Sequence, residues 1–282
     1  MIRKLGMFSP EIQRDTIERF FDAVHLYGFE EMQFDFLTVG PEEIPDSIDA
    51  TLVRRIRRAA DAHGVTIRAV NGTFNMIHPD PAVVERGIAA FEGIARACAE
   101  LGCGIITLCT GSRNTQSMWR PHPDNGSEEA WRDLLATAKR LDVIAKKYDV
   151  LLGIETEASN VVNTPERALK LLEDMGSDQF GIILDPANLF HCGDALPERS
   201  EAILEHAFAL LRERIILAHA KDIHAGNGIE FTSAGRGIVA FERFFALLDS
   251  IGYDGPIIAH GIHDEAEFPY SVQFLNSKMR GL

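Results

Sequence analysis

The chain has 282 residues, is 46% hydrophobic, and carries 28 basic against 42 acidic side chains, for a formal net charge of −14 and a pI of about 5.1. That supplies apolar material for a sizeable core, and the acidity argues against nucleic acid and anionic membranes as partners, since both call for a basic surface. No apolar run approaches the roughly 18 residues of a membrane span, and Cys98, Cys103, Cys109 and Cys192 form no CxxC pair. A soluble protein of the reducing cytoplasm with free thiols is therefore expected.

In chain order, short apolar runs alternate with segments of helical period. RKLGMFS precedes a helix with Ile17, Phe20, Phe21 and Val24 on one face, and EEMQFDFL precedes a helix over 51–63. VTIRAVNGTFN precedes a helix over 81–102, and GIITLCTG precedes one carrying Trp131, Leu134, Leu135, Ala138 and Leu141. VLLGIETE leads to PERALKLLEDMG, and FGIILD leads to a helix over 198–213. RIILAHAKD leads to FERFFALLDSIG, and GPIIAHG is the eighth run. Runs of strand length alternating with 3.6-residue periods read as β/α units. Five helices run into Gly, in LYGF, AHGV, ELGC, DMGS and SIGY, as a left-handed cap requires. Eight units without a linker, and no GxGxxG opening the first helix, predict a single-domain (β/α)8 TIM barrel over residues 1–282. The longest irregular segment, TGSRNTQSMWRPHPDNGSE at 110–128, falls after the fourth strand, on the face where barrel chemistry resides.

The strand ends carry the chemistry. Strand five ends in Glu155 with Glu157 in the same phase, strand six in Asp185, strand seven in His219 with Lys221 two on, and strand eight in His260. Alternation puts Gly153, Ile183, Leu217 and Ile258 on the same inward side one level below. A strand-end His or Asp taken alone is usually structural. Four on consecutive strands at one depth predict a site for one divalent ion, Mn²⁺, Co²⁺, Zn²⁺ or Mg²⁺, held by Glu155, Asp185, His219 and His260.

GIETE, ILDPANLFH and LAHAKD, in this order at strand ends, resemble the xylose-isomerase-like barrels of sugar and sugar-phosphate isomerases and epimerases. The resemblance implies a metal held by Glu, Asp, His and Glu on successive strands. Position by position these fall on Glu155, Asp185, His219 and, in place of the last Glu, His260. A substrate-contacting His that many relatives carry is replaced by Asn188, with His191 one turn later. The implied reaction is proton abstraction next to a carbonyl, with the metal stabilising an enediolate. Glu155 is then ligand and base, His260 a second catalytic candidate and Glu157 the reserve. Losing the second Glu weakens a two-base epimerase and leaves a one-base isomerase open. Substrate contacts are expected from Asn75, His78, Arg113, Glu157, Asn188, Lys221 and Arg236, with Trp119 and His122 in the long loop. Arg236, in SAGRG, would form an anion nest. The expected partner is a small polyol or sugar, with a homo-oligomer left open. The same scaffold carries sugar-acid and inosose dehydratases, the alternative reading, and a non-catalytic sugar-binding barrel is a third. Apurinic-site endonucleases of this superfamily need a basic DNA-facing surface, which the charge argues against.

Overall fold

Each apolar run becomes a strand because its residues are buried on both faces, against the helices outside and one another inside. The computed structural model describes residues 3–279. The barrel strands are β1 (Leu5–Phe8), β2 (Glu31–Phe34), β3 (Thr66–Asn71), β4 (Ile105–Leu108), β5 (Leu151–Glu155), β6 (Phe180–Leu184), β7 (Ile215–Ile223) and β9 (Ile257–Ala259). They pair in that order, all parallel, and β9 pairs back onto β1, which closes the barrel. One strand was not foreseen: β8 (Phe231–Ser233) runs antiparallel to the far end of β7. It folds the loop after β7 into a hairpin over the barrel mouth.

The helices are α1 (Ile17–Leu26), α2 (Ala50–Ala62), α3 (Pro81–Leu101), α4 (Glu128–Tyr148), α5 (Pro165–Met175), α6 (Ser200–Leu211), α7 (Phe241–Ser250) and α8 (Phe268–Met279). The side chains of Thr16, Asp49, Asp80, Ser127 and Thr164 cap the starts of α1 to α5. Each such cap contributes about 1 kcal/mol. The five glycines expected to end helices all lie at positive φ, between 55° and 82°. Among the described residues, no helix is long and apolar enough to cross a membrane.

Two apolar clusters divide the molecule. The larger lies between strands and helices, and the smaller fills the barrel itself: Ala69, Ile183, Leu217 and Ile258, flanked by Phe8 and Ile105. Three of the four residues expected one level below the site are in this plug. The fourth, Gly153, is inside as well, since a Cβ there would stand 2.7 Å from Ile183 Cγ1. Gly6 makes the same allowance for Ile258, whose Cδ1 would be 2.6 Å away. Glycine on one strand thus leaves room for isoleucine on another, and the plug is the floor of what lies above.

Candidate active site

Two residues beyond Gly153 on β5, and just past β6, the inward side chains become charged. Glu155, Asp185 and His219 each bring one donor atom into a group lying within 4.8 Å of one another, all three residues buried. His219 Nδ1 is 3.4 Å from Asp185 Oδ2 and 3.5 Å from Glu155 Oε1. Asp185 Oδ2 and His219 Nδ1 are buried without a hydrogen bond, although Lys221 Nζ stands 3.2 Å from Asp185 Oδ2 as an ion pair. Orphaned polar atoms are costly in a protein interior unless something sits between them. Donors bound at the usual zinc distances in a tetrahedron stand ~3.4 Å apart, so the spacing fits a divalent ion.

The surroundings orient each donor. His219 Nε2–H donates to Gln33 Oε1 at 2.8 Å, across the barrel from β7 to β2. Gln33 Nε2 donates to Thr107 Oγ1, Thr107 to Asn71 Oδ1, and Asn71 Nδ2 to Asp35 Oδ2. Every donor in this chain points the same way. That fixes a proton on His219 Nε2 and makes Nδ1 the nitrogen that would face an ion. Asp185 Oδ1 accepts from the N–H groups of Ala187 and Asn188, which turns Oδ2 toward the group. Asn188 Nδ2 donates to Glu155 Oε1 at 2.6 Å, and Lys221 Nζ donates to Asn188 Oδ1 at 2.7 Å.

Charge follows from this packing. Burial acts to raise the Asp185 carboxyl, but Lys221 and His219 prevail and hold it below the usual carboxylate range. Burial opposes charge on Lys221 too, yet Asp185, Glu155 and Glu157 raise it, so the ammonium persists. Burial opposes charge on His219, and the neighbouring carboxylates overcome it, raising the ring to about 9. With no cation between them, two carboxylates draw a proton onto this ring.

His260 lies outside the three-residue group. Its ring is sandwiched between Phe8, at 4.8 Å between centroids, and His219, at 5.4 Å. Burial, then the charges of Lys221 and His219, push it well below the ordinary histidine range, so it is a neutral imidazole. Glu157 lines a cavity of about 650 Å³ with Trp119, Pro121, His191, Ile229 and Phe231. Its carboxylate accepts from Ser159, and burial raises its pKa.

The remaining expected contacts are engaged elsewhere. Asn75 ties its loop to Ser112 through both backbone groups of that residue. His78 accepts from Asp80 N–H, ordinary turn chemistry. Arg113 donates to Ile77 O and pairs with Asp133. His122 caps the short helical turn at 123–126. The nest expected at SAGRG is already filled: Asp222 accepts from the N–H groups of Gly235, Gly237 and Val239. Arg236 turns outward to pair with Glu267 and lies over the Tyr270 ring.

Two residues of the site went unnoticed in the sequence. Gln33 was visible in principle, as a polar side chain in the inward phase of EMQF. Glu11 follows β1 in the turn Ser9–Glu11, where no periodicity marks it. Its Oε1 accepts from the N–H groups of Gly261 and Ile262 and is 4.0 Å from His260 Nδ1.

Comparison with known proteins agrees with this architecture. Residues 21–278 match the family model for the xylose isomerase-like TIM barrel. A ketose 3-epimerase of Arthrobacter globiformis is 26% identical over 263 residues, covering 90% of this chain and 78% of that protein. An L-ribulose-5-phosphate 3-epimerase, UlaE, of Shigella flexneri is 22% identical over 247 residues, covering 84% and 80%. Among solved structures, the IOLI protein with a binding zinc atom superimposes with a TM-score of 0.73 at 17% identity, covering 98% of this chain and 96% of that one.

Proposed function

Because this chain belongs to the xylose isomerase-like TIM-barrel family, we propose that it is a divalent-metal-dependent isomerase or epimerase of a sugar or related polyol. The observation that carries this reading is the convergence of Glu155, Asp185 and His219, all buried at the barrel mouth with one donor atom each within 4.8 Å of one another. Glu155, Asp185 and His219 would hold the ion, with Mn²⁺, Co²⁺, Zn²⁺ and Mg²⁺ the candidates. When bound, it supplies positive charge to the carbonyl and hydroxyl oxygens of a substrate as they become an enediolate.

The chain's own groups do the rest. Glu155 Oε1 is held by Asn188, which leaves Oε2 to take the proton from the carbon next to the carbonyl. Lys221 fixes Asn188 and balances the buried carboxylates. His260, neutral and beside the site, offers a hydrogen bond to a substrate hydroxyl. The cavity under Trp119 and Phe231 receives the remainder of the substrate.

A free sugar fits better than a sugar phosphate. Arg113, Arg236 and Lys221, the expected substrate contacts that carry positive charge, are all paired within the protein. The amides of SAGRG are taken by Asp222. The dehydratase alternative needs an acid at the leaving hydroxyl. A neutral His260 and a turn-bound His78 serve poorly, and His191, on the cavity wall, is the residue left for it.

Two measurements on purified protein test the reading. Mn²⁺ or Co²⁺ should raise the melting temperature of the wild type and fail to do so in Asp185→Asn. Incubation with free ketoses in D₂O should place deuterium on the carbon next to the carbonyl, and Glu155→Gln should abolish it. A wild type that neither gains stability from metal nor exchanges refutes the proposal.

A further inference from the structure

Glu11 carries a largely buried carboxyl at the barrel mouth that the chemistry above leaves unused. Its side chain is 10% exposed, and Oε2 is buried with no hydrogen-bond partner. Oε1 is pinned by two backbone N–H groups just past β9, Gly261 at 2.6 Å and Ile262 at 3.2 Å. With Phe8, His260 and Ile262 it lines a cavity of about 450 Å³ between the loops that follow β1 and β9. His260 Nδ1, 4.0 Å from Oε1, is itself buried and unpartnered. In a closed barrel of eight strands β1 stands opposite β5, so Glu11 and Glu155 rise from opposite sides of the same mouth.

We propose that Glu11 is a catalytic residue, the second carboxyl of the site, which delivers a proton to the face of the substrate opposite Glu155. This rests on the isomerase or epimerase reading above and decides it in favour of epimerisation. In one turnover the C–H bond on one face breaks toward the Glu155 carboxylate, and its electron pair enters the enediolate. The Glu11 proton then forms the new C–H bond on the other face as that pair returns. Glu155 ends as a carboxyl and Glu11 as a carboxylate, and exchange with water resets both. Burial, against the pull of its two amide donors, raises the Glu11 carboxyl to about 8, so it holds a proton at neutral pH.

The test compares Glu11→Gln with wild type in D₂O over a panel of free ketopentoses and ketohexoses, alongside Mn²⁺ titration of each protein. Wild type should both incorporate deuterium and form the epimer. Glu11→Gln should still incorporate deuterium from the epimer that Glu155 faces, within about threefold of wild type. Its formation of the other epimer should fall by at least about 100-fold, the usual loss for an acid–base group. Its Mn²⁺ affinity should be unchanged, since Glu11 is not a ligand. Should Glu11→Gln not fold, Glu11→Asp should reduce epimer formation more than exchange. Epimer formation within about tenfold of wild type overturns the role of Glu11 while the parent reading stands. A weakened Mn²⁺ titration overturns it too, by making Glu11 a ligand. A wild type that neither exchanges nor epimerises any ketose overturns both.

Discussion

Replacing Gln33 with methionine tests the orientation of the proposed metal site without touching any of Glu155, Asp185 and His219. The side chains are of similar length, so the barrel interior stays filled, but His219 Nε2–H loses its acceptor at 2.8 Å. The ring is then free to turn, and its Nδ1 is no longer held toward Asp185 and Glu155. Removing such an outer partner of a metal-bound histidine weakens affinity about 10–100-fold. At saturating metal that removes about 1.4–2.7 kcal/mol of the stabilisation gained on binding. Unfolding entropy for 282 residues is about 0.6 kcal/mol per kelvin. The metal-induced rise in melting temperature should therefore shrink by about 2–5 °C. Differential scanning fluorimetry of both proteins, with chelator and with Mn²⁺ or Zn²⁺, reads that increment apart from any change in the metal-free baseline. Equal increments, with a lowered baseline only, would refute the ordering role of Gln33.

Three further outcomes follow from the structure. Burial raises the Asp35 carboxyl to about 7, against bonds from Leu37 N–H and Asn71 that lower it. Between pH 4 and 7 the folded protein keeps a proton that the unfolded chain has lost, so stability falls as pH rises, by on the order of 1 kcal/mol per unit. Urea titrations should show this slope flattened in Asp35→Asn, and an unchanged slope would rule out Asp35 as its source. Gly6→Ala should cost about 1–3 kcal/mol in the same assay, because its Cβ meets the Glu31 carbonyl carbon at 2.9 Å, backbone that cannot step aside. Asp222→Ala strips the acceptor from the loop amides of Gly235, Gly237 and Val239. It should cost on the order of 3 kcal/mol and speed hydrogen exchange at those amides, which normal protection in the variant would contradict.

The barrel and the convergence of Glu155, Asp185 and His219 were legible because strand alternation is rigid. Once β5 and β7 are placed, Glu155 and His219 can only point inward, and Asp185 follows from the end of β6. What lay outside that logic came from loops. Asn75, Arg113 and Arg236 have the chemistry of substrate contacts, but loop residues choose partners from whatever folds beside them, and these chose Ser112, Asp133 and Glu267. Glu11 is the reverse case. It sits in a three-residue turn with no pattern, and only the closure of β9 onto β1 brings it under Gly261. β8 was hidden for a similar reason, since FTS is too short to register as an apolar run.

The four side chains that fill the barrel have a consequence for traffic. Ala69, Ile183, Leu217 and Ile258 stop the bore, so the active centre is the bottom of a cup with one rim and no drain. A ligand bound there must leave by the route it entered. Access to such a vessel is set by the loops that form the rim, not by the floor.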